Sequence, residues 1–312
     1  MSSEAFSALS SQALEVASQD LVAKLPSLLL EARRVSATVA QGAHGRRRGG
    51  PGETFWQYRN FAPGDSASSI DWRRSAGSNS LFVREREWEA AHTVWIWIDL
   101  SPSMFFRSRL AAVSKAERAV VLAMALATLL CEGGERVGVP GFMEPRSRRN
   151  VAGAIMETIA RAVRSFKGFP DPESRFNAHS EIVIFSDFLE PQAALADAFG
   201  AIARQGVRGQ IVQILDPAEE SLPYRGRIEF EDSESGARYV AERAEALRPD
   251  YKSKLAAHKA AIALHAARCG WTYFLHHSDG PAVEALLPLH MHLSGLEKTY
   301  RAKGVGIAGG LS

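Results

Sequence analysis

The segment Thr93-Val94-Trp95-Ile96-Trp97-Ile98 is almost wholly apolar and stops abruptly at Asp99. A strand with one wet face alternates apolar and polar residues. A run without alternation marks a strand buried on both faces, which a parallel sheet covered by helices provides. The pattern returns at residues 181–185 and 210–215. Helical spacing fills the gaps. Ser114-Lys115-Ala116-Glu117 is a capping box, S-x-x-E, opening a helix to about Cys131. Its core stripe is Ala119, Leu122, Ala123, Leu126 and Leu130, and Gly133-Gly134 ends it. Further helices are predicted over residues 151–165, 191–205, 251–269 and from Pro281. Further strands are predicted over 136–142 and 271–275, with a β-hairpin over 226–240. Strands alternating with helices imply an α/β fold, a doubly wound and mainly parallel sheet.

Four segments follow. Residues 1–52 read as a helical segment, with Leu21, Val22, Leu25, Leu28 and Leu29 at helical spacing and Pro26 opening a second helix. They end in a mobile Gly- and Arg-rich loop, 42–52. Residues 53–92 are an aromatic-rich extension of short strands, expected to pack on the main domain with Trp72 buried. Its arginines, Arg73, Arg74, Arg84 and Arg86, suit stacking on aromatic rings better than nucleic-acid binding. Residues 93–300 form the α/β domain, and 301–312 a disordered tail.

Composition excludes several classes. Hydrophobic residues at 46% and charged residues at 23% rule out a disordered chain. The net charge is 37 − 35 = +2, too small for general affinity for nucleic acid or membrane. No window reaches the roughly 18 apolar residues of a membrane helix, and the N-terminus lacks the pattern of a signal peptide. Cys131 and Cys269 alone build neither a disulfide framework nor a thiolate zinc site. The expectation is a cytoplasmic protein, with no nucleic-acid partner and no membrane insertion.

The chemistry concentrates at strand ends. Asp99-x-Ser101-x-Ser103 follows the first buried strand, and Asp187 follows the strand at 181–185. In open α/β sheets ligands bind at that edge. A carboxylate and two hydroxyls on one turn, joined by a second carboxylate, suit a hard cation, Mg²⁺ or Mn²⁺. The plainer alternative is that Ser101 and Ser103 cap the turn.

The motif resembles the metal-ion-dependent adhesion site of von Willebrand factor type A domains. Upstream, Arg59-Asn60-Phe61-Ala62-Pro63-Gly64-Asp65, Ile70-Asp71-Trp72 and Val83-Arg84-Glu85 resemble the bacterial family of domain of unknown function 58, DUF58. Gly134-Glu135-Arg136-Val137-Gly138 and Phe185-Ser186-Asp187-Phe188 fit the same family. The resemblance spans about residues 25–215. It implies a type A fold, a protein-binding role beside a MoxR-type AAA⁺ ATPase in chaperone-like assembly or remodelling of a client, and no catalysis. Type A domains add a Thr ligand, expected here in the loop 142–150, which has none. That loop carries Arg146, Arg148 and Arg149, which would repel a cation or bind a partner's carboxylate. The rival reading is a metal-dependent hydrolase using the same carboxylates; it needs a general base, and only Asp187 and distant His residues are on offer.

Overall fold

A computed structural model describes residues 2–44, 56–63, 65–78, 80–86, 92–171 and 174–294. The expected loop at 42–52 falls largely outside them, and the expected tail at 301–312 wholly so. The chain divides into two units, Met1–Gln41 with Thr93–Ser312, and Gly42–His92.

Helix α1 (Ser2–His44) runs through Pro26 without a break. The expected second start at Pro26 is therefore corrected. Leu21, Leu25, Leu28, Ala32 and Val39 form one continuous buried stripe that belongs to the main core. Burying that stripe outweighs the one backbone donor that proline lacks.

In the smaller unit, β1 (Trp56–Asn60) pairs antiparallel with β2 (Phe82–Arg86). Between them lies the short helix α2 (Trp72–Ser75), capped by Asp71, whose Oδ1 accepts from Arg74 N at 3.1 Å. Ile70, Asp71 and Val83 face inward, whereas Trp72 is 63% exposed, against the expectation of burial. The cap carboxylate and Ile70 take the inner positions, and Trp72 as first helical residue turns outward. Arg–aromatic stacking occurs, but with other rings: the Arg74 guanidinium lies 4.3 Å from the Tyr58 ring centroid and 5.5 Å from that of Phe82.

The larger unit continues with β3 (Thr93–Ile98), α3 (Lys115–Glu132), β4 (Arg136–Val139), β5 (Met143–Arg146), α4 (Val151–Ala162) and β6 (Glu181–Ser186). There follow α5 (Gln192–Ala203), β7 (Arg208–Leu215), α6 (Pro217–Ser221), the hairpin β8 (Ile228–Glu231) and β9 (Arg238–Ala241), α7 (Ala244–Arg268), β10 (Thr272–His277) and α8 (Ala282–Leu293). The sheet order is β10-β7-β6-β3-β4-β5. All pairs are parallel except β4 with β5. Every residue of β3 and β6 is buried, so both faces of the central strands are covered by helices, as their unbroken apolar runs require. The fold is the doubly wound α/β class. Among the described residues no helix is long and apolar enough to cross a membrane.

Two elements depart from the expected pattern. The strand expected over 136–142 is instead β4, a turn at Gly141 (φ +73°) and the antiparallel β5. Helix α6 is opened by Asp216-Pro217-Ala218-Glu219, a capping box with Pro at the first turn. Close packing is set at Gly209 on β7, where an added Cβ would lie 2.0 Å from the buried Trp271 ring.

Candidate functional site at the sheet's carboxyl edge

β3 and β6 are adjacent and parallel, with Ile98 opposite Phe185. Asp99 and Asp187 therefore leave the same edge at the middle of the sheet. Strand order diverges there, with β4 on one side and β6 on the other, which is a topological switch point.

Asp99 is fully buried and its carboxylate is held on three sides. Oδ1 accepts from Ser101 N at 2.8 Å and from Gly168 N at 2.9 Å, and Oδ2 accepts from Ser186 Oγ at 2.7 Å. Burial first, and the Asp187 charge second, push its pKa up to about 6. Ser101 Oγ and Ser103 Oγ lie 3.3 Å apart. The segment that closes the other side is residues 166–168. Phe166 O accepts from Leu100 N at 2.8 Å, and Gly168 O accepts from Trp97 Nε1 at 2.7 Å.

The Asp187 loop is equally fixed. Its backbone carbonyl accepts from Gln213 Nε2 at 2.7 Å, and Gln213 Oε1 accepts from Tyr273 OH at 2.6 Å. Phe188 adopts φ +52°, with its amide donating to Ser186 Oγ at 3.0 Å. Beneath the loop lies Lys115, wholly buried at the start of α3. Its Nζ donates to Asp187 Oδ2 at 2.8 Å and to Glu219 Oε1 at 2.5 Å. Burial disfavours the ammonium, but the two carboxylates outweigh it and hold the pKa above the ordinary lysine value. Glu219 in turn belongs to the Asp216 capping box, and Asp216 Oδ2 accepts from Ser108 N at 2.9 Å. One charged chain thus runs from the strand-end loop to α6.

A cavity of about 520 Å³ opens over these residues, lined by Ser101, Ser103, Lys167, Asp187, Glu190 and Glu234 among others. Glu190 is half-buried, and its Oε2 has no hydrogen-bond partner among the described residues. Burial, then Asp99, Asp187 and Glu234, raise its pKa to about 7. Four acids, Asp187, Glu190, Asp232 and Glu234, line the cavity against one lysine, Lys167. Two hydroxyls, the second oxygen of Asp187 and the unpartnered Glu190 oxygen are hard donors of the kind Mg²⁺ or Mn²⁺ takes. Among the described residues no three His, Cys, Asp or Glu side chains converge as a metal cluster, so any cation here relies on the serine hydroxyls.

The structure thus brings Ser101, Ser103 and Asp187 to one cavity, whereas Asp99, expected as a ligand, is fully buried with both carboxylate oxygens hydrogen-bonded and does not line it. The structure does not bring Arg146, Arg148 or Arg149 to them. Because β5 runs antiparallel, with Arg146 opposite Val137, the arginine-bearing end of this loop sits at the far edge of the sheet, while Phe142 at its start stacks on Phe166. Arg148 and Arg149 are exposed there. The place expected for 142–150 beside Asp99 is taken by residues 166–168, where Lys167 and Gly168 line the cavity and no threonine stands. Sequence reasoning missed Lys115, Gly168, Ser186, Glu190 and Glu234. Only Ser186, next to Asp187 at a strand end, carried a local signal.

Uncharacterized protein Rv1480 of Mycobacterium tuberculosis is 28% identical over 268 residues, 80% of this chain and 82% of its own. Uncharacterized protein Mb1516 of Mycobacterium bovis matches equally. Similar solved structures include the conserved hypothetical protein BatB from Bacteroides thetaiotaomicron (TM-score 0.39, 18% identity, 67% of this chain and 100% of that one). The SpRpn10 VWA domain is another (TM-score 0.31, 10% identity, 63% and 94%). A family profile described as protein of unknown function DUF58 matches residues 57–261, about two-thirds of the chain, and the chain belongs to that family.

Proposed function

We propose that this protein is a non-catalytic, cytoplasmic binding module whose contact point is a divalent cation at the carboxyl edge of the sheet. The observation that carries this reading is the convergence of Ser101, Ser103 and Asp187 on one acidic cavity at a switch point, with Asp99 buried behind the first loop. Ser101, Ser103 and Asp187 would hold the ion, with Asp99 fixing the first loop. The bound cation would supply an open position for a partner's carboxylate. Asp99 Oδ1 orients the Ser101 amide, and Ser186 orients Asp99 in turn. Lys115 occupies one oxygen of Asp187 and leaves the other free of its charge-assisted bond. The partner we propose is a MoxR-type AAA⁺ ATPase, with the pair assembling or remodelling a client complex.

The test is a pull-down of the ATPase with wild type, Asp99→Ala and Arg148→Glu, with Mg²⁺ or with chelator. Asp99→Ala leaves β3 intact but strands the Ser101 and Gly168 amides and the Ser186 hydroxyl, so it should melt lower than wild type and, tested below that melting temperature, should lose the Mg²⁺-dependent part of binding. Mg²⁺ should raise the melting temperature of wild type alone, since a ligand of the folded state stabilises it. Binding indifferent to chelator and to Asp99→Ala, but abolished by Arg148→Glu, would move the interface to the basic loop at the far edge.

A further inference from the structure

The β8–β9 hairpin carries an acidic turn, Asp232-Ser233-Glu234-Ser235-Gly236, to the mouth of the cavity. Glu234 Oε1 accepts from the backbone N–H of Ser103 at 3.1 Å, across 131 residues of sequence. Asp232 and Glu234 line the same cavity as Ser101, Ser103 and Asp187. The turn is shaped from within: Ser235 Oγ donates to Asp232 Oδ2, and Gly236 N donates to Asp232 O at 2.8 Å. Its base is pinned, with Gly226 N donating to Glu245 Oε2 at 2.8 Å and Ala244 N donating to Gly226 O at 2.9 Å. Between base and tip the hairpin buries little. β8 alternates half-buried and exposed residues, and three of the four β9 residues are exposed. An element with so little buried apolar surface opens at low cost.

We infer that the hairpin tip is an in-chain ligand, with Glu234 filling the position at Ser103 that the acidic residue of a binding partner takes. This rests on the adhesion-site reading for the cation, while the Glu234–Ser103 contact stands without it. The partner is a protein presenting an acidic side chain on an exposed polar turn, and it must displace Glu234 to bind. The sign of the electrostatics gives the cation a second role. Without it, Glu234 adds to the negative charge of Asp187 and Glu190; with it, the tip is attracted and closes. Tip and partner then compete for one position, and the tip's tether gives it a high effective concentration.

The tip itself supplies the probe. A fluorescein-labelled peptide copying residues 229–239 is titrated, by anisotropy, against the full chain as wild type and as Glu234→Ala, in Mg²⁺ and in chelator. In Mg²⁺ the peptide should bind Glu234→Ala at least tenfold more tightly than wild type, because the vacated position accepts it in trans. The same peptide with alanine at the position of Glu234 should bind neither protein. Equal binding of the unaltered peptide to both proteins, or to neither, overturns the proposal. Preference for the variant that persists unchanged in chelator upholds the in-chain ligand and sinks the cation. Glu234 is exposed, so Glu234→Ala should melt with wild type; Glu234→Gln gives the same comparison should it not.

Discussion

Lys115 Nζ lies 2.8 Å from Asp187 Oδ2, and the two side chains are 0% and 2% exposed. A buried ion pair of this kind gains little over an apolar pair, yet breaking it strands a charge. Lys115→Met leaves Asp187 and the half-screened Glu219 without their cation. The variant should lose about 3–5 kcal/mol of unfolding free energy, read as the urea midpoint. A loss below about 1 kcal/mol would mean that water reaches the pair and screens it.

Asp99, with Glu190 shifted in the same sense, and His276 give the metal-free protein opposing pH responses. The folded pKa of Asp99 stands near 6, raised by burial and then by Asp187 above its ordinary 3.8. The folded state therefore binds the proton more tightly, and stability falls as pH rises from about 4 to about 6. His276 is the reverse. Burial, with Arg118 and His277, lowers it from 6.5 to about 4, so stability falls as pH drops through that window. Asp99→Asn removes the Asp99 response only. In chelator, its urea midpoint should fall more steeply than that of wild type between pH 6.5 and 4. Parallel curves would show that Asp99 keeps an ordinary pKa.

Gly209→Ala tests the closest packing in the sheet. Its Cβ would sit 2.0 Å from Trp271 Cδ2, and Trp271 is held by a 3.1 Å bond from Nε1 to Val207 O. The ring is buried and held by that bond, so overpacking should cost about 1–3 kcal/mol. Adding Trp271→Leu should recover part of that loss, as neighbouring substitutions are not additive. No recovery would place the strain in the backbone instead.

Trp72→Ala should change the melting temperature little, because Trp72 is 63% exposed. Exposed substitutions usually stay within about 0.5 kcal/mol. Asp71→Ala in the same unit should cost about 1 kcal/mol through loss of the α2 cap. A larger effect at Trp72 than at Asp71 would reverse this assignment.

What was legible in the sequence was local. The unbroken apolar runs of β3 and β6 declare strands covered on both faces, and the Ser114–Glu117 box marks the start of α3. The pairing of Asp99 with Asp187 follows once both strands are placed in one parallel sheet. What was not legible depends on distance. A lysine in the first turn of a helix looks like a surface residue. Its burial is decided by Asp187, 72 positions away, and Glu219, 104 away. β5 is four residues long, too short for a period, and its reversal alone carries Arg146, Arg148 and Arg149 away from Asp99. Trp72 misled because aromatic character argues for burial, whereas its place after the Asp71 cap turns it outward.

The continuity of α1 across Pro26 bears on how the chain is made. Its buried stripe belongs to the main core, and Glu31 pairs with Arg118 on α3, 87 residues later, at 3.5 Å. Ribosomes add roughly 5–20 residues per second. Glu31 therefore precedes Arg118 by on the order of ten seconds, with the whole of residues 42–92 synthesised in between. Throughout that interval Leu21, Leu25 and Leu28 lack the later core residues that bury them in the folded chain.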